Sequence, residues 1–266
     1  MQTKLIQLNI WAGELLDNST AWLKEQDPDI LCLQEVYNET NESLPEKYRL
    51  LSKVQKELQM PFVSFAPAME YVTSEGKFVQ GNAILSKFPI ASFKAHFFDV
   101  PFKEFKKTDN PEFTPRNVQE AQIDLKGKVL NVFNLHGIWG KHGDDTERRL
   151  SMVERILMLM KNKTPSVLCG DFNVNERVLL NPDSFETEGF KWKKTQAIQN
   201  LEKHLVNVFR EERTSSFNLL HKASNTGYAF AVVDMVFVSP DLKVVSHACP
   251  NVNVSDHLPT VIVLEV

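Results

Sequence analysis

The stretch VLCGDFNVN at residues 167–175 sets a carboxylate and an amide two residues apart, Asp171 and Asn173, directly after a short apolar run. Val167, Leu168 and Cys169 need burial on both faces. Gly170 then permits a sharp turn at low steric cost, so that Asp171 and Asn173 emerge together at the strand's end. Such a pair at the lip of a buried strand suits a hard divalent cation, or a water about to be deprotonated. A strand closed by an Asp/Asn turn is the plainer reading of the same residues. The chemical reading gains weight because an apolar strand followed by an acid, amide or imidazole recurs along the chain. Asn9 follows KLIQL, Glu35 follows DILCLQ, Asn82 opens NAILS and His136 follows VLNVFNL. Asp234 interrupts VVDMVFV, where a mid-strand acid is costly without a partner, and Asp256 and His257 stand in SDHLP.

The elements that must carry these residues follow from the pattern. Residues 4–10 read as a strand, 17–26 as a helix with Asp17, Asn18 or Ser19 as its cap and Trp22 and Leu23 facing inward, and 29–35 as a second strand. Residues 128–135, an amphipathic helix over 144–161 and the strand of VLCGDFN repeat this grammar. Two strand-helix-strand units predict an internal duplication or two packed sheets of related topology. Neither has a Gly-rich phosphate loop. Residues 62–68, 81–87, 90–98 and 117–125 are strand-like, as are 232–238, 243–249 and 260–266. The connection 99–115 is long and polar, with Lys103, Lys106 and Lys107 among Phe102, Phe105 and Phe113. It is read as a solvated loop, with contact to a phosphate-bearing substrate as the alternative. No linker or low-complexity segment divides the chain, so a single domain over 1–266 is expected.

Composition limits the function. With 266 residues, 42% hydrophobic and 24% charged, the chain is that of a globular protein with a sizeable core. A net charge of -4 excludes a global basic field for gripping polyanions, though not an enzyme with a local basic rim. Cys32, Cys169 and Cys249 are odd in number and lack Cys-x-x-Cys spacing, which argues against a disulfide framework or a zinc site and marks them as reduced core residues. The opening residues run straight into a strand pattern and no apolar run reaches membrane-spanning length, so a cytoplasmic monomer without a membrane anchor is expected.

Taken in order and spacing, LNIW, LQE, GNAILS, NLHG, GDFN, VVDMVF and SDHLP resemble the motifs of the endonuclease/exonuclease/phosphatase superfamily. Its members include deoxyribonuclease I, apurinic endonucleases, bacterial sphingomyelinases and inositol polyphosphate 5-phosphatases. The resemblance spans essentially the whole chain. It implies an α/β fold, a four-layered α/β sandwich of two mixed, mainly antiparallel β-sheets face to face and flanked by helices, with the site at one end of the sheets. It also implies a divalent-metal-dependent phosphoester hydrolase, foremost a nuclease or phosphodiesterase, acting by metal-assisted in-line attack of water.

Phosphoester hydrolysis spreads charge over phosphoryl oxygens, so the catalyst mainly positions groups and neutralises that charge. Glu35, helped by Asn9 and Asp256, offers hard oxygens with no soft ligand nearby, which favours Mg²⁺ or Mn²⁺ over Zn²⁺. By the resemblance Glu35 is the principal metal ligand, while Asp171 and Asn173 orient or deprotonate the attacking water and bind the phosphate. His257 then contacts phosphoryl oxygens or transfers a proton, its ring held by Asp234. His136 matches the second histidine of deoxyribonuclease I and the sphingomyelinases, where apurinic endonucleases carry a tyrosine pattern. Asn82 and Arg116 are the remaining phosphate contacts that the resemblance implies.

His96, His142, His204, His221 and His247 match no motif and are read as surface or satisfied core residues. Arg148 and Arg149 are read as solvated charges opening the long helix. Trp11 and Trp139 either wall the cleft or pack beneath loops. Two alternatives remain beside the nuclease reading. One is a phosphatase or phosphodiesterase acting on a small-molecule, inositol-phosphate or phospholipid substrate. The other is a catalytically silent binding relative, disfavoured because Glu35, Asp171, Asp234 and His257 are all present.

Overall fold

The computed structural model describes residues 1–140, 143–179, 190–209, 215–218, 220 and 231–266. Strand β1 (Gln2–Asn9) connects through helix α1 (Leu16–Gln26) to β2 (Ile30–Tyr37), and β1 and β2 pair in parallel. Parallel neighbours need a crossover between them, which α1 supplies. Then come α2 (Leu50–Leu58), β3 (Phe62–Thr73), β4 (Gly76–Ser86), β5 (Ile90–Phe97), β6 (Lys103–Lys106) and β7 (Asn117–Asp124). The second parallel unit is β8 (Val129–His136), α3 (Glu147–Met160) and β9 (Ser166–Asp171). The chain continues through β10 (Arg177–Leu179), β11 (Phe190–Trp192), α4 (Gln196–Glu202) and β12 (Val206–Asn207) to β13 (Asp234–Val238), β14 (Lys243–Ala248) and β15 (Thr260–Glu265).

Among the described residues these strands form a sheet of order β14-β15-β1-β2-β4-β3-β6, a second of order β12-β13-β9-β8-β7-β5, and the small pair β10-β11. Strand alternation sorts the side chains into layers. Leu5, Ile30 and Cys32 of the first sheet meet Val132, Val167, Cys169 and Val236 of the second in a core between the sheets. Ile6, Leu8, Leu31 and Leu33 face the other way, onto Leu16 and Leu23 of α1 and Leu50 and Val54 of α2. Phe133, Leu168 and Phe237 pack outward onto Met152, Val153 and Ile156 of α3 and Ile198 of α4. Helix, sheet, sheet, helix is the expected four-layered sandwich. The two strand-helix-strand units lie one in each sheet.

The layer between the sheets changes character along its length. At one end it holds Leu5, Ile30, Leu130 and Val167, all fully buried. Two to six residues further along the same faces stand Gln7, Asn9, Gln34, Asn134, His136 and Asp171, also buried. Because β1, β2, β8 and β9 all run toward that polar end, their C-terminal residues gather there.

Several local details differ from the sequence expectation. Leu15 occupies the N-cap of α1 without a side-chain bond, and Ser19 and Thr20 instead donate to the carbonyls of Leu15 and Leu16. Leu23 is fully buried, Trp22 only partly. Helix α3 starts later than expected because Thr146 caps it, its hydroxyl accepting the Arg149 backbone N–H. Gly170 does not turn the chain. It sits inside β9 at φ 144, where an added Cβ would lie 1.9 Å from the Leu135 carbonyl oxygen, and the turn falls at Asn173 (φ 55). The connection 99–115 contains β6, which joins the first sheet alongside β3. Cys32 and Cys169 are core residues, while Cys249 is only partly buried. Much of the 175–227 segment lies outside the described residues, as do His142 and His221.

Candidate active site

Pairing register places the polar strand ends side by side. On one sheet His136, Asp171 and Asp234 occupy adjacent positions of β8, β9 and β13. Since β13 runs antiparallel to β9, Asp234 opens its strand rather than standing in its middle, and the start of β13 therefore meets the end of β9. On the other sheet Asn9 is level with Gln34, and Asn82 of β4 faces the step occupied by both Gln34 and Glu35. Two residues against one make a β-bulge, and Glu35 adopts φ 59 within it. Plain alternation after Gln34 would send the Glu35 side chain toward the outer helices. The bulge turns it into the gap between the sheets.

Asn9 joins the two sides: its Nδ2 donates to Glu35 Oε1 (3.2 Å) and to Asp171 Oδ2 (3.3 Å). Its Oδ1 accepts the backbone N–H of Trp11 at 3.1 Å. The amide thus offers protons, not an oxygen, to the carboxylates. Asp171 Oδ1 accepts the backbone N–H of Asn173 (2.9 Å), whose side-chain Nδ2 donates to the Gly137 carbonyl (3.1 Å). Asn173 thereby braces both Asp171 and the loop leaving β8, while Phe172 between them points outward against Phe237.

The imidazoles complete the group. A guanidinium can only donate, so Arg116 Nη1 at 3.0 Å makes His136 Nδ1 an acceptor and leaves the ring proton on Nε2. That nitrogen lies 3.6 Å from Asp171 Oδ2 and 3.9 Å from Glu35 Oε1. Burial, with the Arg116 charge beside it, pushes His136 well below the ordinary histidine range and keeps it neutral. His257 is the opposite case. Its Nδ1 donates to Asp234 Oδ2 at 2.8 Å, and although burial opposes the charge, Asp234 and Asp256 hold its pKa up at about 10. Phe217 packs on the His257 ring, with centroids 4.5 Å apart. Burial also pushes the Asp171 carboxyl up to about 7, against the pull of the His257 cation. Asp256, raised by burial and by the charge of Glu35, accepts from Ser255 Oγ at 3.2 Å.

Asn82 stands one strand away, its Nδ2 donating to the Oδ1 (3.0 Å) and carbonyl (3.2 Å) of Asn117. It adjoins Arg116 through the chain, not the carboxylates. No carboxylate among the described residues lies within 4 Å of the Arg116 guanidinium. Arg149 is not solvated: it is 1% exposed and donates to the carbonyls of Ile138, Gly140 and Asp144, pinning the loop after His136. Arg148 pairs with Asp99 and lies over the Phe113 ring. His96 is tied to Glu120 and His247 packs edge-on to Phe209. Trp11 and Trp139 are partly buried.

Sequence reasoning passed over Gln7, Asn134 and Ser216. Ser216 Oγ accepts the backbone N–H of Asp234 (2.8 Å), and Gln7 and Asn134 are fully buried behind the carboxylates. A polar residue two positions before a strand-end polar residue, as in LIQLN and VFNLH, is the signal that could have found two of them.

A hard cation fits this donor set in one way. Among the described residues no three His, Cys, Asp or Glu side chains are drawn together tightly enough to hold a metal ion. The charge of Glu35 acts on Asp256 and raises its carboxyl, and an ion bound by these two would take its remaining ligands from water and substrate, as Mg²⁺ commonly does.

The sequence model of the Endonuclease/Exonuclease/phosphatase family matches residues 6–257. Among solved structures, the fold is similar to an endonuclease/exonuclease/phosphatase from Beutenbergia cavernae, with TM-score 0.72 and 17% identity over 100% of this chain and 72% of that one. It is also similar to the mannosyl-6-phosphatase of Bacteroides thetaiotaomicron, with TM-score 0.67 and 17% identity over 99% of this chain and 100% of that one. D. rerio TDP2 complexed with a single-strand DNA product gives TM-score 0.65 and 13% identity over 100% of this chain and 99% of that one. No curated protein sequence matches the chain. At these identities the structures speak for the fold, and the match over nearly the whole sequence speaks for the family. With its carboxylates and imidazoles gathered at one end of paired sheets, this chain belongs to the endonuclease/exonuclease/phosphatase family, whose members hydrolyse phosphoester bonds.

Proposed function

We propose that the protein is a Mg²⁺-dependent phosphoester hydrolase, foremost a nuclease or phosphodiesterase, that cleaves a P–O bond by in-line attack of water. The observation that carries this reading is the Asn9 side chain bridging Glu35 and Asp171 at 3.2 and 3.3 Å, which unites carboxylates from opposite sheets in one cleft. Asp171, with a pKa of about 7, is suited to take a proton from water near neutral pH. Asn173 and Asn9 hold its two oxygens in place. His257, kept protonated by Asp234, offers its Nε2–H to a phosphoryl oxygen. Neutral His136 offers a second donor, and Arg116 a fixed positive charge, for a group whose negative charge spreads during reaction. Glu35 and Asp256 would hold the ion, whose contribution when bound is to neutralise the phosphate and the leaving oxygen. Asn82, through Asn117, supports the Arg116 side of the phosphate site.

Nucleic acid is favoured as substrate by Phe102 and Phe113, which are exposed in the 99–115 connection that also carries Lys103 and Lys106 on β6 and Lys107 just after it, and could stack on bases. A second reading, a small-molecule or inositol phosphate, is favoured by the net charge of -4 and by the pairing of surface cations with acids, Arg148 with Asp99 and Lys77 with Glu104. A panel of single-stranded, duplex and abasic DNA, RNA, inositol phosphates, sugar 6-phosphates and sphingomyelin, assayed with Mg²⁺, with Mn²⁺ and with chelator, tests both. Hydrolysis that the chelator abolishes and that Glu35→Gln and His257→Ala each cripple is the expected result. Inertness on every phosphoester would favour a silent binding relative instead.

A further inference from the structure

Behind the carboxylates the polar side chains between the sheets form one directed hydrogen-bond chain. Thr260 Oγ1 donates to Gln7 Oε1 at 2.9 Å, which leaves both Gln7 Nε2 protons for other acceptors. One goes to Gln34 Oε1 and the other to Asp234 Oδ1, each at 2.9 Å. Gln34 passes the chain on to Asn134 Oδ1 (2.6 Å), and Asn134 Nδ2 ends it on the carbonyls of Leu33 and Ala83, 3.0 Å each. Gln7, Gln34, Asn134 and Asp234 are all fully buried. A flipped Gln7 amide would set its carbonyl against two acceptor oxygens, so the surroundings permit one orientation.

Asp234 is where this chain meets the site. Its Oδ2 accepts a hydrogen bond from His257 Nδ1, and its Oδ1 accepts one from Nε2 of Gln7, a residue of the opposite sheet. A carboxylate anchored by one oxygen can still swing about its terminal bond. Anchoring the second oxygen removes that freedom. Gln34, held by the same amide, immediately precedes Glu35 in the bulge of β2.

We infer that Gln7 is a positioning residue for the site: its amide, gripped by Thr260, fixes the Asp234 carboxylate that aims His257 and pins the strand that turns Glu35 into the cleft. The rate arm of the test rests on the phosphoester-hydrolase reading, while the spectroscopic arm rests on geometry alone. Gln7→Leu removes both donors with little change in volume. With Mg²⁺ and bis(4-nitrophenyl) phosphate as probe, kcat should fall by about a hundredfold, the scale of a small misplacement of reacting groups, with KM changed by less than about threefold. In an Asp234→Ala background the same substitution should cost much less than in the wild type, because the part of its effect that runs through Asp234 is already lost and only the bond to Gln34 remains to be broken. In the one-dimensional proton NMR spectrum the downfield His257 Nδ1 proton, assigned by its loss in His257→Ala, should vanish or move in Gln7→Leu.

Losses that add fully to those of Asp234→Ala, or an unmoved His257 resonance, would reduce Gln7 to a structural amide and overturn the inference. Absence of that resonance from the wild type would overturn it too. If the wild type leaves the probe intact, the hydrolase reading suffers, but the resonance still decides the role of Gln7. Should Gln7→Leu not fold, Thr260→Val removes only the hydroxyl that orients the amide. It should move the same resonance, and an unmoved one would again sink the proposal.

Discussion

The two strand-helix-strand units deliver their acids by different means. In β8–α3–β9 the pairing register stays unbroken to the strand's end, and Asp171 reaches the gap between the sheets by simple alternation with Val167 and Cys169. Its side chain is 5% exposed, and burial pushes its pKa up to about 7. In β1–α1–β2 alternation would point Glu35 the wrong way, and a bulge with φ 59 redirects it to a position where its side chain is 27% exposed. One fold thus makes two kinds of carboxylate. The regular strand gives a dry acid able to exchange a proton near neutrality. The bulged strand gives a wetter one open to an ion and its waters.

The contrast can be broken at either unit. Asp171→Asn should lower kcat by about a thousandfold, as loss of a general base does. It should also abolish the acid limb of the pH profile. In its proposed role as base Asp171 acts deprotonated, so wild-type activity should rise with pH through about 7 and fall below it, and the variant's residual rate should be flat there. Next, Gly170→Ala forces a Cβ to within 1.9 Å of the Leu135 carbonyl oxygen in the regular strand, and urea unfolding should show a loss of about 3 kcal/mol or more. Arg149→Met, which strips a charged donor from three carbonyls beside α3, should cost about 2 kcal/mol by the same measurement.

The bulged unit is probed by its response to metal. Glu35→Gln should raise the half-saturating Mg²⁺ concentration at least about tenfold, whereas Asp171→Asn should leave it within about threefold. Equal responses would mean that the two acids share one role. The smallest effect is expected at Lys53, whose partners Asp17 and Glu46 are largely solvated. Lys53→Met should change stability by less than about 1 kcal/mol, which would set the exposed charges between α1 and α2 apart from buried Arg149 in the second unit.

Much of the fold was legible because hydrophobic alternation is a local property. Residues 128–135, 90–98 and the run opening VLCGDFN read as strands from their apolar pattern, and β8, β5 and β9 lie there; the apolar stripe of α3 is likewise visible without any partner. Arg149 was misread as solvated because nothing local distinguishes it from Arg148. Only the folded chain brings the carbonyls of Ile138, Gly140 and Asp144 to it. Asp234 was placed mid-strand because VVDMVFV is uniformly apolar around it, whereas pairing with β9 starts the ladder at that residue. Gln7 and Asn134 carry no local mark that separates them from other polar residues in strands. They became a bridge only when two sheets met face to face.

By itself the sequence determined the layers, the family, and the polar residues at the strand ends, because a period of two and a handful of motif types are written into neighbouring positions. The tertiary structure decided which of those residues touch, that Asn9 presents protons rather than an oxygen, that Glu35 turns inward, and that Gln7 reaches Asp234. Register, bulges and amide orientation depend on strands brought together from distant parts of the chain, and a hydrogen bond has a direction only once both of its partners are in place.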